Sequence, residues 1–282
     1  MTGAILVLGA TGTVGTPLVE TLVARGERVK AASRRATPVA GAEAVRFDYA
    51  DPSGWDAALT GVDRAYVMAP TGTLDVLATL TPILTVLAER RIKVVLQTAL
   101  GVDADDGIPY RQVEIRLERS GTSFVILRPN WFSDNFRTFW LAGIRQGVIA
   151  VPAGEGASSF IDVRDIAESA AAALTTDRFD GQAFNLTGPE ALSYAQAADL
   201  LTAVTGRPVA YSPVDDQTFI GILTGAGVNA DYAAFLASIF HPVRQGWTAA
   251  VSPAVETLTG HPPRPLRRTL EDHAGIFAAD KT

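Results

Sequence analysis

Apolar residues fall along this chain in short unbroken runs, separated by stretches with helical spacing. Ala4-Ile-Leu-Val-Leu8 comes first; four large apolar residues in a row predict a strand buried on both faces. Behind it, Thr16–Arg25 places Leu18, Leu22 and Val23 on one face of a helix, and Gly26 stops it. The alternation then repeats. Strands are predicted over 28–33, 43–47, 64–70, 92–97 and 123–129. Helices are predicted over 55–59, over 74–91 with an interruption at Pro82, and over 110–120 with charge on one face. Strands alternating with helices up to Pro129 predict an α/β fold with a parallel, doubly wound sheet.

Beyond Pro129 the pattern changes. The segment 130–140 concentrates aromatic residues: Trp131, Phe132, Phe136, Phe139 and Trp140. Short strands are expected at 147–152 and 184–187. Helices are expected at 166–175, at 194–205 behind a Ser193 cap, and through 211–247, where Tyr232, Phe235, Leu236, Ile239 and Phe240 share a face. A Pro-rich stretch, 260–268, precedes a last helix over 269–278. The expected division is a sheet domain over 1–150 and a smaller, mostly helical portion over 151–282, with some later segments returning to the sheet domain. Aromatic stripes of this kind usually pack cores. Here they exceed what a small subdomain needs, so Trp131, Phe132, Phe136 and Tyr232 are candidate walls of an apolar substrate pocket.

Composition narrows the classes. At 282 residues, 48% of them hydrophobic and 19% charged, the chain can bury a sizeable core. No apolar run reaches the ~20 residues that a membrane helix needs. Met1-Thr-Gly-Ala has no charged leader region and the first apolar run is already used as a strand, so a cytoplasmic protein is expected. The absence of cysteine excludes disulfides, thiolate nucleophiles and cysteine metal sites. The histidines His241, His261 and His273 stand late and well apart, so no metal site is expected. A net charge of −6, with only Arg264-Pro-Leu-Arg-Arg268 as a basic cluster, argues against nucleic acid. The expected partner is a small hydrophobic substrate, taken by a monomer or a homodimer.

The chemistry-bearing stretch is Gly9-Ala-Thr-Gly-Thr-Val-Gly15, set between the first strand and the first helix. This is the context that makes a glycine motif informative. Gly9 permits the tight turn, Gly12 lets backbone approach a pyrophosphate, and Gly15 lets the helix lie close on the sheet. With Thr11, Thr13 and Val14, these residues form the expected phosphate cradle at a helix N-terminus. The sheet is therefore expected to be of the Rossmann type. An NAD site wants an acidic residue after the second strand, to bind the ribose hydroxyl; an NADP site wants arginine. This sequence has Ser33-Arg34-Arg35 and no carboxylate before Glu43, so NADP(H) is the expected cofactor. The alternative is that both arginines are ordinary loop charges. Asp48 either meets the adenine or caps the next helix, for which Asp51 and Ser53 are the better candidates. Ala69, Pro70, Thr71 and Thr98 follow the fourth and fifth strands, where ligands of such sheets lie.

A Tyr-x-x-x-Lys dyad is missing. Four residues after Tyr49, Tyr66, Tyr110, Tyr194, Tyr211 and Tyr232 stand Ser53, Pro70, Glu114, Ala198, Asp215 and Leu236. The only lysines are Lys30, Lys93 and Lys281. Without a lysine to depress a tyrosine pKa, epimerase, dehydratase and simple alcohol dehydrogenase chemistry is disfavoured.

The glycine segment, Leu127-Arg-Pro-Asn-Trp-Phe-Ser-Asp-Asn135 and Phe160-Ile-Asp-Val-Arg-Asp-Ile-Ala167, in that order, resemble the NmrA-like group of atypical short-chain dehydrogenases/reductases. The resemblance extends to Gly246-Trp247 and Thr259-Gly-His-Pro-Pro263. It implies a relation to quinone reductases, isoflavone-reductase-like enzymes and imine reductases of ergot alkaloid pathways. In isoflavone-reductase-like members a catalytic lysine stands where this chain has Tyr110. Tyr110 is thus a candidate proton donor, with a helix cap or pocket wall as the alternatives; a phenol of ordinary pKa, near ~10, suits an acid and not a base. Hydride transfer to a conjugated or protonated acceptor needs no strong acid, because the cofactor carries the chemistry. The expected function is an NADPH-dependent reductase of a small, hydrophobic, activated acceptor: a quinone, enone, ketone or imine. The alternative is a non-catalytic NADP(H)-binding redox sensor that contacts a protein partner.

Overall fold

The apolar runs become the middle of one parallel sheet. In the computed structural model, which describes residues 3–277, Ile5–Leu8 are fully buried within β1 (Ala4–Leu8). The further strands are β2 (Val29–Ser33), β3 (Glu43–Arg46), β4 (Val62–Met68), β5 (Lys93–Gln97), β6 (Phe124–Pro129) and β7 (Gln182–Leu186). Their order is β3-β2-β1-β4-β5-β6-β7, and every pair is parallel. The order reverses between β1 and β4. Beyond the carboxyl ends of those two strands lies the crevice that an open α/β sheet offers to ligands. Helices α1 (Gly15–Ala24), α2 (Trp55–Leu59), α3 (Val76–Glu89), α4 (Pro109–Glu118) and α5 (Val163–Thr175) cover this sheet, and a short helix over Ala254–Thr259 packs on β7 and α5.

Parallel strands covered on both faces read as continuous apolar runs, which is why the central strands stood out. On one face Leu6, Leu8, Ala65, Val67, Val94 and Leu96 pack on Leu80, Ile83, Leu84 and Leu87 of α3 and on Val113 and Leu117 of α4. Pro82 does not interrupt α3. The helix runs through it, capped by Asp75, whose carboxylate accepts from the Ala78 N–H; proline at this position costs one backbone bond on an exposed face.

The chain forms two units, neither continuous in sequence. The first comprises the residues up to Pro129, Val163–Leu186 and Ala254–His261. The second comprises Asn130–Asp162, Thr187–Pro253 and the residues from Pro262 onward. Where sequence order suggested a cut at residue 150, the contacts divide the chain after Pro129 and bring two later segments back to the sheet. The second unit is built on α6 (Tyr194–Thr205), α7 (Asp216–Gly225), α8 (Ala230–Ser238) and short helices and two-residue ladders. Ser193 caps α6 in a capping box with Gln196, as the sequence predicts. The last predicted helix is shorter than expected: Leu266–Asp272, then a 3₁₀ turn over Ala274–Phe277. Ala278 and Lys281, like Met1 and Thr2, lie outside the described residues. Among the described residues no helix is long and apolar enough to cross a membrane.

Candidate functional site

The glycine turn has the form that close backbone approach requires. Gly9 leaves β1 at φ +70°, in the left-handed region, and its carbonyl accepts from the Gly12 N–H at 2.8 Å. A Cβ on Gly15 would stand 2.1 Å from that carbonyl oxygen and 2.8 Å from Ala10 Cα, so only glycine lets α1 start here. A Cβ on Gly12 would stand 3.1 Å from the same oxygen. Gly9, Thr11, Gly12 and Thr13 are exposed, whereas Val14 and Gly15 are buried. At the start of α1 the Thr16 N–H is taken by Gly12 O (3.0 Å) and Pro17 has no N–H, whereas the N–H groups of Thr11, Thr13, Val14 and Gly15 make no backbone bond among the described residues and lie at the positive end of the helix dipole.

The neighbouring strand ends extend the same edge. Ser33, at the end of β2, accepts at Oγ from the Thr37 N–H (2.9 Å), and its carbonyl accepts from Ala36 N–H, with Ala36 at φ +47°. This turn holds Arg34 and Arg35 exposed at its tip, and neither has an ion-pair partner among the described residues. Beyond β3, Asp48 accepts at Oδ1 from the Ala50 N–H (3.0 Å). The cap of the following turn is Asp51, which accepts from the Ser53 N–H and hydroxyl; those bonds hold its carboxyl below its ordinary value. Ala69 is buried, and Pro70 and Thr71 are exposed beyond β4. The sequence-predicted cofactor residues on β1, β2, β3 and β4 thus gather at one edge of the sheet.

Thr98 has a different setting. It is buried, and its hydroxyl donates to Glu114 Oε1 at 2.6 Å. Glu114, on α4, is fully buried. It accepts from Arg128 through both carboxylate oxygens (3.0 and 2.7 Å) and from Arg111 (3.0 Å), while Arg128 also donates to Asp103 (2.6 Å). Burial alone would raise the Glu114 carboxyl. Hydrogen bonds from Arg128 and Thr98 and the charge of Arg128, with a further bond from Arg111, outweigh it and hold the carboxyl below its ordinary value. Sequence reading did not find this network: it noted charge on one face of the helix 110–120 and named no partner for it. The available signal was a glutamate on the apolar Val113–Leu117 stripe and an arginine inside the apolar strand Phe124–Pro129.

Tyr110 is the second residue of α4, half-buried against the core of the first unit alongside Tyr49. It is not the cap, which is Ile108. Lys30 and Lys93 cannot replace a missing catalytic lysine. Both are buried toward the amino ends of β2 and β5, opposite the glycine turn; Lys30 donates to Thr60 O (2.7 Å) and Lys93 to Thr176 O (2.5 Å). Asp165, Glu168 and His261 bring one ligand atom each within 4.8 Å of one another, with His261 Nε2 at 2.5 Å from Glu168 Oε2. Sequence distance had concealed that grouping.

In the second unit Trp131, Phe136, Trp140, Phe160, Tyr194 and Phe240 form one connected cluster of rings, mostly edge-on or tilted. Trp131 lies 4.6 Å from Phe240 and 6.0 Å from Trp140 between ring centroids, and Phe136 sits edge-on to both Trp140 and Phe160. Phe136 is fully buried, which corrects its assignment as a pocket wall: it packs the core, where apolar area is removed from water on every side. Trp131, Phe132 and Tyr232 keep part of their surface open, and Tyr232 stacks on Phe235 at 6.1 Å.

Comparison with known proteins agrees with this geometry. A family model described as NAD(P)H-binding matches residues 9–177. The chain is 33% identical over 277 residues to an uncharacterized oxidoreductase, YesF, of Bacillus subtilis (strain 168), spanning 98% of this chain and 96% of that one. It is 30% identical over 285 residues to an NAD(P)H azoreductase of Xenophilus azovorans, spanning 98% and 99%. Among solved structures, an NADPH-dependent quinone oxidoreductase of Escherichia coli in complex with NADPH matches with a TM-score of 0.84 at 23% identity, over 95% of this chain and 99% of that one.

Proposed function

We propose that this chain, which belongs to the NAD(P)H-binding family and is an NAD(P)H-dependent oxidoreductase of the NmrA-like kind, uses NADPH to reduce a small, hydrophobic, activated acceptor. The observation that carries the cofactor preference is the Ser33–Thr37 turn. It presents Arg34 and Arg35, exposed and without ion-pair partners among the described residues, one strand away from the glycine turn, with no carboxylate at the end of β2. Two guanidinium groups there suit a ribose phosphate and would not favour a bare ribose.

The cradle fits a dinucleotide. Thr11, Thr13 and Val14 would hold the pyrophosphate through backbone N–H groups, Gly9 and Gly12 would leave room for it, and Gly15 keeps α1 close enough for them to reach it. Ser33, Arg34 and Arg35 would take the ribose phosphate, Asp48 borders the adenine end, and Ala69, Pro70 and Thr71 line the path toward the nicotinamide. Thr98 does not donate directly in this arrangement; its hydroxyl is committed to Glu114. When bound, NADPH supplies the hydride. Tyr110 is the proposed proton donor or hydrogen-bond donor to the acceptor, and Trp131, Phe132 and Tyr232 are the proposed apolar contacts. No lysine among the described residues is available as a general base, which favours acceptors whose conjugation already accepts charge: quinones, enones, activated ketones and imines. The azoreductase relative adds azo compounds to that set.

The sensor reading rests on a separate observation: Ile222 on α7 and Phe235 on α8 are exposed, as a partner-binding surface would require. One experiment separates the two. NADPH and NADH are titrated by fluorescence, and NADPH oxidation is then followed with a panel of quinones, enones, imines and azo dyes. The expected result is NADPH bound at least 10-fold more tightly than NADH, with turnover of one panel class. The double variant Arg34→Ser/Arg35→Ser should lose that preference while NADH affinity is unchanged. Tight binding without oxidation of any acceptor would select the sensor, and equal affinity for both nucleotides would remove the role given to Arg34 and Arg35.

A further inference from the structure

We infer that Gln97 is a neutral hydrogen-bond donor to the acceptor during hydride transfer, held in place by Tyr66; this rests on the reductase reading above. Gln97 is the last residue of β5 and only 6% exposed, the single uncharged polar side chain in a strand otherwise made of Lys93 and three apolar residues. Its Oε1 accepts from the Tyr66 hydroxyl at 2.5 Å. Tyr66 is fully buried, and Gln97 is the one hydrogen-bond partner of its hydroxyl among the described residues. Burial also pushes the phenol well above its ordinary value, so it stays protonated and must donate. Only the amide oxygen can accept, which fixes which way the carboxamide faces.

The amide nitrogen is then left with two N–H donors and no protein partner among the described residues, and it is not sealed from water, so these donors open toward solvent from an otherwise buried side chain. A donor held in one orientation and open to solvent is free to bond a ligand or an ordered water. Its location says which. Gln97 is the register neighbour of Met68 on β4, so both side chains leave the same face of the sheet. The Met68 side chain reaches Gly9: a Cβ there would lie 3.7 Å from Met68 Sδ. The orphan donors therefore sit at the carboxyl edge, one strand beyond the residue that abuts the phosphate turn. They stand on the side of the reversal away from Arg34 and Arg35, which is the half of the crevice left for the reacting end of a dinucleotide and its acceptor.

In the reduction, the acceptor's electrophilic atom receives a hydride and its π pair moves onto the conjugated oxygen or nitrogen. The proton comes from solvent, with Tyr110 as its proposed relay. Acceptor, NADPH and H⁺ thus become reduced acceptor and NADP⁺. Negative charge grows on that heteroatom in the transition state, and a pre-oriented N–H in a water-poor position lowers its energy. Gln97 performs this without a titratable group, in keeping with the missing lysine. Tyr66 is a positioning residue, because it acts only through the amide.

Three variants test this: Gln97→Met, which keeps the volume and removes the donors; Gln97→Glu, which supplies only acceptors at neutral pH; and Tyr66→Phe. For Gln97→Met and Gln97→Glu we expect kcat/KM for the acceptor to fall 10- to 100-fold, with NADPH affinity within twofold of wild type. Tyr66→Phe should lower kcat by a smaller factor, and more for acceptors of low reduction potential, a trend that loss of stability alone would not produce. Retained kcat/KM in a folded Gln97→Met protein overturns the inference. So does a loss of NADPH affinity equal to the loss of activity, which would give the donors to the cofactor. A readout independent of turnover keeps the two proposals apart: the side-chain ¹⁵N–¹H resonances of Gln97 in NADP⁺-saturated protein should shift on adding a naphthoquinone. Unmoved resonances overturn this inference whether or not the wild type turns over; absence of turnover across the acceptor panel overturns the reductase reading.

Discussion

A methyl group on Gly15 would meet Gly9 O at 2.1 Å and Ala10 Cα at 2.8 Å, contacts with backbone that has no room to move. The same methyl on Gly12 would meet only Gly9 O, at 3.1 Å, a clash relieved by a few tenths of an ångström. The two glycines are alike in sequence and should differ in experiment. Gly15→Ala is expected to lose about 3 kcal/mol or more of folding stability, since α1 must back away from β1. Gly12→Ala is expected to cost about 1 kcal/mol while raising the Kd for NADPH at least 10-fold, because its Cβ enters the space a pyrophosphate would need. Urea unfolding and a fluorescence titration of each variant make the comparison. If Gly12→Ala bound NADPH like wild type, the turn would be a structural feature and not a phosphate cradle.

At the level of elements, α4, β5 and β6 are joined by the Glu114 carboxylate. Its carboxyl is held below the ordinary range, so in acid the unfolded chain takes up a proton that the folded chain resists. The stabilisation is therefore fully present above the ordinary glutamate pKa of ~4.3 and drains away as pH falls toward the lowered folded value. Glu114→Ala should cost about 3–5 kcal/mol at neutral pH, because it strands Arg128 in a buried position. Glu114→Gln should be less stable than wild type at pH 7 and lose less on acidification to pH 3–4. Guanidinium unfolding at both pH values gives the comparison, and parallel pH slopes for the two proteins would show that Glu114 is not the group titrating. This network also marks where sequence reading stops. The central strands up to Pro129 were legible because burial on both faces writes a largely apolar run; β3, an edge strand with exposed Glu43 and Arg46, has no such run and was read from its place in the alternation. The glycine turn was legible because close approach tolerates only glycine. Glu114 and Arg128 were not, because a charge is read as solvated unless its partner is known, and the partner here is on another element. β7 was foreseen only as a short strand: its outer residues Gln182 and Ala183 are exposed, and nothing in an edge strand's own pattern names β6 as its neighbour. Phe136 failed for the complementary reason, since an aromatic residue in a core and one on a pocket wall have the same sequence signature.

On the scale of the molecule, the proposed nucleotide site lies at the carboxyl ends of the parallel sheet, whereas the cations at its amino ends are committed to holding the fold. Toward the amino ends, three buried cations hold the carbonyls that helices leave unpaired at their C-termini. Lys30 donates to Ala58 O and Thr60 O behind α2, Lys93 to Thr176 O behind α5, and Arg64 to Leu174 O and Gly3 O. All but Gly3 O belong to the negative end of a helix dipole or the turn that follows it, which favours a buried cation there; Arg64 also pairs with Glu27 and Asp63, and Lys93 with Asp180. Toward the carboxyl ends, the glycine turn, the Arg34–Arg35 tip and the Gln97 amide offer donors with no protein partner among the described residues. Substitutions at the two edges should therefore fail in different ways. Lys93→Met removes the ammonium that pairs with Asp180 and bonds Thr176 O, and should cost about 2–3 kcal/mol of stability. Its NADPH affinity and kcat/KM should stay within twofold of wild type at a temperature where it is folded, whereas Arg34→Ser/Arg35→Ser should keep the wild-type Tm and lose affinity. Thermal unfolding paired with nucleotide titration on the same samples decides it. A folded Lys93→Met protein that no longer bound NADPH would mean that the amino edge reaches the site, and the assignment of one edge to folding and the other to chemistry would fall.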